Sequence, residues 1–236
     1  MKSILFDLDG TLLPMDPDVF TKGYFGGISG YAASIVSPDK FIKAILNGTN
    51  AMVANETDKY NMEVFRDVFL PELNLEYSEI FLPLEEYYRT DFKKLIKCTN
   101  PSPIAPEIVQ AVLDKGYKII LATNALFPRE AVEERMRWAN IDKFPWAAIT
   151  DYEITKGCKP NLKYYQYIVD QYDVTIEGSW MIGNDTCEDL VAKEIGFKTY
   201  LVTDTMVTDG KEFIAPDAQG SLEDCLRFVK EVLPKV

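Results

Sequence analysis

The sequence predicts an α/β protein: an open parallel sheet with helices on both faces, plus an all-α insertion after the first strand. Two observations predict it. Short apolar runs alternate with helical patterns over most of the chain, and residues 14–100 break that alternation with helix signals and no convincing strand. A chain of 236 residues is also long enough to bury a substantial core.

The strand-like runs are Ser3–Phe6, Lys118–Ala122, Trp180–Ile182 and Thr199–Val202. Each is short, apolar and flanked by polar or turn residues, as expected of strands buried on both faces of a parallel sheet. Helical patterns fall at about Pro128–Ala139, Leu162–Tyr172, Glu188–Ile195 and Leu222–Leu233. Strands alternating with helices call for right-handed crossovers and an open sheet.

In the insertion, Asp16-Pro17 opens a helix that contains Gly23, Gly26, Gly27 and Gly30, four residues of poor helix propensity. Ser37-Pro38-Asp39-Lys40 reads as N-cap, proline at the first helical position and an acid in the first turn, with Gly48 as the stop. A further helix is expected from near Asp58 to before Pro71, and another over Leu84–Ile96. Asn100-Pro101-Ser102-Pro103 has the composition of a return linker. The expected division is therefore a core of residues 1–13 and 101–236 and a helical cap of residues 14–100.

Composition narrows the function. Hydrophobic residues make up 47% and charged residues 26%, as in ordinary globular proteins. A net charge of −12 repels phosphate backbones and anionic bilayers, so neither nucleic acid nor membrane is an expected partner. The chain has no histidine, which removes Ser-His-Asp and Cys-His catalysis, histidine bases and histidine-ligated zinc. Cys98, Cys158, Cys187 and Cys225 lie far apart with no CxxC spacing, so a reducing cytoplasm is the expected location. No apolar run approaches the ~18 residues of a membrane span. The opening MKSILFDLDG places Asp7 and Asp9 where a signal peptide would need apolar residues.

Four segments at strand ends carry chemistry, because ligands of open α/β sheets collect at the carboxyl edge of the strands. In Phe6-Asp7-Leu8-Asp9-Gly10-Thr11-Leu12, two carboxylates at i and i+2 leave the first strand on one side. Such a pair can ligate a divalent cation or divide into nucleophile and acid, while Gly10 allows a sharp turn that exposes N–H groups. In Leu121-Ala122-Thr123-Asn124, the Thr123 hydroxyl and Asn124 amide can hold an anionic oxygen. In Gly157-Cys158-Lys159-Pro160, Lys159 can be aimed back at the sheet edge, with Lys156 competing for that role. Met181-Ile182-Gly183-Asn184-Asp185-Thr186-Cys187-Glu188-Asp189 runs from a strand into a carboxylate-rich turn that can complete a Mg²⁺ site with Asp7 and Asp9. Each segment alone also has a structural reading: polar loop cap, strand-to-helix cap, solvated lysine, or acids favoured at a helix N-terminus.

Taken in order, these segments resemble the four motifs of the haloacid dehalogenase-like hydrolase superfamily: Asp7-Leu8-Asp9-Gly10-Thr11, Thr123, Lys159-Pro160, and Gly183-Asn184-Asp185 with Asp189. The insertion resembles that family's α-helical cap of the first type, and the sheet its Rossmann-like core. The resemblance implies a Mg²⁺-dependent phosphatase acting on a small-molecule phosphate ester. Asp7 is then the nucleophile that becomes an aspartyl-phosphate, and Asp9 the acid and base. The metal would bind the Asp7 carboxylate, the Asp9 carbonyl and a carboxylate of the fourth motif. Asp185 is the expected principal ligand, with Asn184 and Asp189 nearby. Thr123, Asn124, Lys159 and N–H groups of the first loop would hold the phosphoryl oxygens, with Gly10, Thr11 and Asp189 in support. The chain departs from many relatives in having Asn184, a neutral oxygen ligand, directly after the motif glycine.

Alternatives within the superfamily differ in the cap or in one acid. A dehalogenase lacks the second acid of Asp-x-Asp, which is present here as Asp9. A phosphonate-cleaving enzyme needs a Schiff-base lysine from the cap, for which Lys22, Lys40, Lys43 and Lys59 are candidates. A phosphomutase keeps all four motifs. A catalytically silent phosphate- or metal-binding module is the remaining alternative. Within the cap, Lys22–Tyr31 (KGYFGGISGY) is expected either to face substrate or to form cap core. Cys158 and Cys187 lie beside motif residues as sites of inhibitory oxidation or as small buried fillers.

Overall fold

A computed structural model describes residues 1–236. Strands β1 (Ser3–Phe6), β2 (Lys118–Leu121), β3 (Ala148–Ile149), β4 (Trp180–Gly183), β5 (Lys198–Val202) and β6 (Ala218–Gly220) form one sheet in the order β3-β2-β1-β4-β5-β6. Every pairing is parallel. β1 lies between β2 and β4, with Phe6 opposite both Leu121 and Ile182. The strand order reverses between β1 and β4, so the crevice at their carboxyl ends is where a ligand of such a sheet binds.

Side-chain alternation along β1 separates two cores. Ile4 and Phe6 join a cluster of 46 buried residues that continues into the helices between β1 and β2, through Phe20, Phe41, Phe69 and Tyr87. Leu5 joins Ile120, Met181, Tyr164 and Tyr165 in a cluster of 12 on the opposite face. The insertion and one face of the sheet thus share a continuous core.

The insertion comprises α1 (Pro17–Ala32), α2 (Pro38–Val53), α3 (Asn61–Leu73) and α4 (Tyr77–Thr90), followed by a 3₁₀ segment Phe92–Cys98. The Asp16 side chain caps α1 by accepting from the N–H groups of Asp18 and Val19. Beyond the insertion lie α5 (Ile104–Asp114), α6 (Arg129–Trp138), α7 (Leu162–Tyr172) and α8 (Leu222–Arg227).

Several sequence expectations are corrected. Gly48 does not stop a helix: α2 runs through it to Val53, and a Cβ there would lie 2.6 Å from the Phe65 ring, so Gly48 permits α2 and α3 to approach. α3 starts at Asn61, three residues after Asp58, and carries Pro71 in its last turn, ending on Asn74 at φ 58°. The helix expected over Leu84–Ile96 is α4, started at Tyr77 by the Glu76 N–H bonded to Glu79 Oε2 at 2.7 Å, and a separate 3₁₀ segment. Glu188–Ile195 is helical only as a 3₁₀ turn at Leu190–Ile195, and the last helix passes into a π turn at Phe228–Val232. Two edge strands, β3 and β6, and helix α5 were not among the sequence expectations. With two and three residues, the edge strands are too short to show a period.

Candidate active site

The backbone ladder of β1 continues one residue past the strand, with the Asp7 N–H donating to Ile182 O at 2.9 Å. The chain then turns. Gly10 takes φ 86°, a left-handed conformation that glycine adopts without penalty, and its N–H donates to Leu13 O at 2.8 Å. A side chain at Gly10 would also collide with Asn184, whose Nδ2 would lie 2.3 Å from the added Cβ.

Asp7 is nearly buried and holds two partners. Its Oδ1 accepts from Lys159 Nζ at 2.9 Å and its Oδ2 from the Thr11 hydroxyl at 3.2 Å. Lys159 is fully buried and also donates to Asp189 Oδ1 at 2.6 Å. Burial alone would depress the ammonium, but Asp189 and Asp7 outweigh it and hold its pKa well above the ordinary lysine range. Burial pushes Asp7 up to about 7, against the pull of Lys159 and with the push of Asp189. Of the two candidate lysines, Lys159 is therefore the one at the site, while Lys156 lies over the Tyr60 ring.

Asp9 turns one oxygen to Arg135, whose Nη1 donates to Asp9 Oδ2. Asp9 Oδ1 and Arg135 Nη2 are buried and find no hydrogen-bond partner. Arg135 is fully buried on α6, with its guanidinium 4.5 Å from the centre of the Phe127 ring and its Nε bonded to Ala131 O at 3.1 Å. Burial raises the Asp9 pKa while Arg135 opposes it.

At the end of β4, Gly183 passes so close to Asp189 that a Cβ there would collide with Oδ2. Asp189 Oδ2 accepts from the Asp185 N–H at 3.0 Å, so both its oxygens serve to hold Lys159 and this turn. Asp185 Oδ1 accepts from the N–H groups of Cys187 at 2.7 Å and Glu188 at 2.9 Å. Burial raises Asp185, and those two N–H groups oppose the rise. Asn184 Oδ1 accepts from the same Thr11 hydroxyl that faces Asp7, at 2.9 Å, and its Nδ2 donates to Thr205 O at 2.7 Å. Thr11 thus links Asn184 to Asp7.

The Thr123 carbonyl accepts from Thr150 Oγ1 at 2.7 Å and Tyr164 OH at 2.8 Å, which fixes the turn after β2. Asn124 is engaged at both ends: Nδ2 donates to Glu188 Oε1 at 2.8 Å, and Oδ1 accepts from the Lys159 N–H at 3.2 Å. Burial raises Glu188 to about 8, opposed by Lys159. Asp7, Asp9, Gly10, Thr123, Asn124, Asn184, Asp185 and Asp189 all line one cavity of about 390 Å³. Thr11 and Lys159 stand directly behind Asp7.

Three side chains that hold the candidate site lie outside the sequence reading: Arg135, Asn61 and Thr205. Arg135 had a signal, since it interrupts the apolar stripe of α6 formed by Ala131, Val132, Met136 and Ala139. Asn61, on α3, grips the loop before Lys159. Its Nδ2 donates to Gly157 O at 2.8 Å and Cys158 Sγ at 3.2 Å, and its Oδ1 accepts from the Gly157 N–H at 2.9 Å. Thr205 donates its hydroxyl to Gly10 O. Cys158 is fully buried and burial pushes its thiol well up, which makes it packing rather than a reactive group. Cys187 is exposed.

None of Lys22, Lys40, Lys43 and Lys59 lines the site cavity. In the cap stretch, Tyr24 and Phe25 line a neighbouring cavity, Lys22 does not, and Tyr31 bonds Thr90 Oγ1 at 2.9 Å within the cap.

The family model for haloacid dehalogenase-like hydrolases matches residues 4–202. A phosphoglycolate phosphatase of Vibrio parahaemolyticus is 22% identical over 203 residues, 86% of this chain and 84% of that one. Among solved structures, a HAD phosphatase from Thermococcus onnurineus superposes with a TM-score of 0.60 at 18% identity over 100% of both chains. The L-2-haloacid dehalogenase of Xanthobacter autotrophicus does so with a TM-score of 0.59 at 15% identity, over 98% of this chain and 99% of that one. At such identities the solved structures speak for the fold, and the family match for the motifs. With the acid pair, lysine and carboxylate turn converging at the sheet's switch point, the chain belongs to the haloacid dehalogenase-like hydrolases.

Proposed function

We propose that this hydrolase is a Mg²⁺-dependent phosphatase that cleaves a phosphate monoester through an aspartyl-phosphate on Asp7. The observation that carries this reading is the buried Asp7 carboxylate, facing the cavity at the sheet's carboxyl edge with Lys159 and Thr11 fixing its two oxygens. An Asp7 oxygen attacks phosphorus as the bond to the leaving oxygen breaks, and that oxygen takes a proton from Asp9. Water then attacks the phosphoryl group, gives its proton back to Asp9, and the bond to Asp7 breaks to release phosphate. The unpartnered Oδ1 of Asp9 is the proton carrier, while Arg135 on Oδ2 is a positioning residue. Thr123, on the cavity wall, holds a phosphoryl oxygen, and Lys159 behind Asp7 supplies positive charge to the site. Such transfer depends on positioning and charge neutralisation more than on covalent assistance.

The residues fit a divalent cation. Asp7, Asp9, Asp185, Glu188 and Asp189 face Lys159 and Arg135 alone, and burial raises the pKa of Asp7, Asp9, Asp185 and Glu188. That excess of buried carboxylate is what a hard cation relieves. No three acidic or cysteine side chains converge on one point, so further oxygens, neutral ones among them, must join Asp7. The Asn184 amide oxygen, the Asp9 carbonyl and the second oxygen of Asp185 are the candidates. Asp189 is committed to Lys159 and the Asp185 N–H. When bound, Mg²⁺ supplies charge that draws electron density from the phosphoryl oxygens.

The points where the chain leaves and re-enters the sheet support the proposed domain division. Met15 bridges Thr99 antiparallel and the Asn100 N–H donates to Pro14 O at 2.7 Å, which supports a cap of residues 14–100 on a core of 1–13 and 101–236. No helix is long and apolar enough to cross a membrane, and all four cysteines are free, as in a reducing cytoplasm.

Hydrolysis of 4-nitrophenyl phosphate tests the reading. Turnover is expected with Mg²⁺, lost with EDTA and lost in Asp7→Asn. Persistence of turnover in Asp7→Asn sinks the covalent route, and a folded protein inert toward every phosphate ester is a binding module instead.

A further inference from the structure

A second cavity of about 530 Å³ adjoins the site cavity, within the size range of small-molecule pockets. Phe20, Thr21, Leu126 and Phe127 line both, so the two spaces lie side by side with these side chains between them. The second cavity lies between cap and core and is mostly apolar, with Tyr24, Phe65, Phe81 and Tyr88 from the cap facing Phe127 from the core. Phe20 and Tyr24 meet the Phe127 ring edge-on, at centroid distances of 6.4 and 5.2 Å.

The balance of charge around it disfavours an anionic ligand. Glu85, Glu130 and Glu153 line it, and Arg129 is its only cation. That guanidinium is already paired, Nε to Asp151 Oδ2 at 2.8 Å. A carboxylate placed here would lose its water and gain no counter-charge. An aromatic or branched alkyl group would instead exchange water for ring edges and aliphatic carbon.

The cavity also has a direction. Phe127 carries the Arg135 guanidinium on its ring, and Arg135 holds Asp9. The wall of the apolar space therefore stands next to the acid that protonates the leaving oxygen. Whatever departs with that oxygen is the part of the substrate nearest the cavity.

Resting on the phosphatase reading above, we infer that the substrate is a phosphate monoester of a bulky apolar alcohol, aromatic or branched, whose leaving group occupies the cavity between cap and core. Small anionic esters such as phosphoglycolate are poor substrates by the same argument.

The test uses the full chain with Mg²⁺ and esters of matched leaving-group chemistry: ethyl phosphate, hexyl phosphate and 2-(1-naphthyl)ethyl phosphate, with phosphoglycolate as the anionic arm. The expected result is a rise in kcat/KM of roughly 100-fold from ethyl to naphthylethyl, with phosphoglycolate no better than ethyl. Thr49 lines only the apolar cavity. Thr49→Trp, which fills that space, should cut the naphthylethyl-to-ethyl ratio about tenfold. A flat series, or a preference for phosphoglycolate, overturns the inference and leaves the phosphatase reading standing. Binding of naphthylethylphosphonate against ethylphosphonate, followed by calorimetry, separates the two claims. Preferential binding without turnover of any ester supports the cavity's ligand class and removes the phosphatase reading. Equal binding overturns the inference whatever the turnover, and does so without the Thr49 variant.

Discussion

Asn61 grips both polar groups of Gly157, accepting from its N–H at 2.9 Å and donating to its carbonyl at 2.8 Å. Asn61 begins helix α3 of the insertion and Gly157 sits two residues before Lys159, so the insertion directly holds the loop that aims the cation of the candidate site. Asn61→Ala leaves a buried N–H and C=O without partners, at a cost of about 1–3 kcal/mol each. The expected outcome is a lower Tm by calorimetry and a fall in kcat larger than any change in KM. Unchanged kcat in the folded variant counts against the positioning role.

Lys159 is the only cation between Asp7 and Asp189, at 2.9 and 2.6 Å. Lys159→Met leaves two buried carboxylates facing each other, so stability should fall by about 3–5 kcal/mol in denaturant unfolding. The loss comes from uncompensated charge. The double variant Lys159→Met, Asp189→Asn should therefore recover part of it without recovering activity.

The pairing of Arg135 with Asp9 predicts a different signature. Arg135→Met deprives the Asp9 carboxylate of its opposing charge and leaves burial to raise its pKa further. The alkaline or acid limb of the kcat profile that belongs to Asp9 should move to higher pH relative to wild type. An unshifted profile would show that Arg135 serves packing alone.

Glu153 gives a pH dependence of stability away from the acid pair. Burial raises it from an ordinary 4.5 to about 7, opposed by the Arg129 N–H that its Oε2 accepts at 2.9 Å. The folded state therefore keeps a proton that the unfolded chain has lost, and this group's contribution makes stability fall as pH rises from about 4.5 to about 7, with no further change above. Glu153 is only half-buried, so solvent screens part of the effect. Glu153→Gln should melt higher than wild type at pH 8 and alike at pH 4. A constant difference across that range would refute the assignment.

Asn184 offers a neutral oxygen beside Asp7, held there by Thr11 at 2.9 Å. Removing it in Asn184→Ala should raise the Mg²⁺ concentration for half-maximal turnover at least ~10-fold, comparable to losses seen for groups that orient metal ligands. Asp189→Asn should act mainly on kcat through Lys159. A reversed pattern would make Asp189 the ligand.

The sequence by itself determined four of the six strands and the acid pair at the exit of the first. Those features are written in contiguous residues: apolar runs set by burial on both faces, and Asp7 and Asp9 two residues apart on a chain whose geometry fixes their common side. Lys159 and the Gly183–Asp189 turn were legible for the same reason, each following an apolar strand or opening a helix. Only the tertiary structure decided which groups hold them. Asn61 meets Gly157 across 96 residues and Arg135 meets Asp9 across 126, contacts that no local period records. Helix ends shifted where packing overrode propensity, as at Gly48 beside Phe65. The apolar cavity is a property of two faces brought together, since its walls come from helices of the insertion on one side and from residues 126–130, Tyr152 and Glu153 on the other. Local covalent geometry places an acid at a strand's end; only the closing of a core decides what lies opposite it.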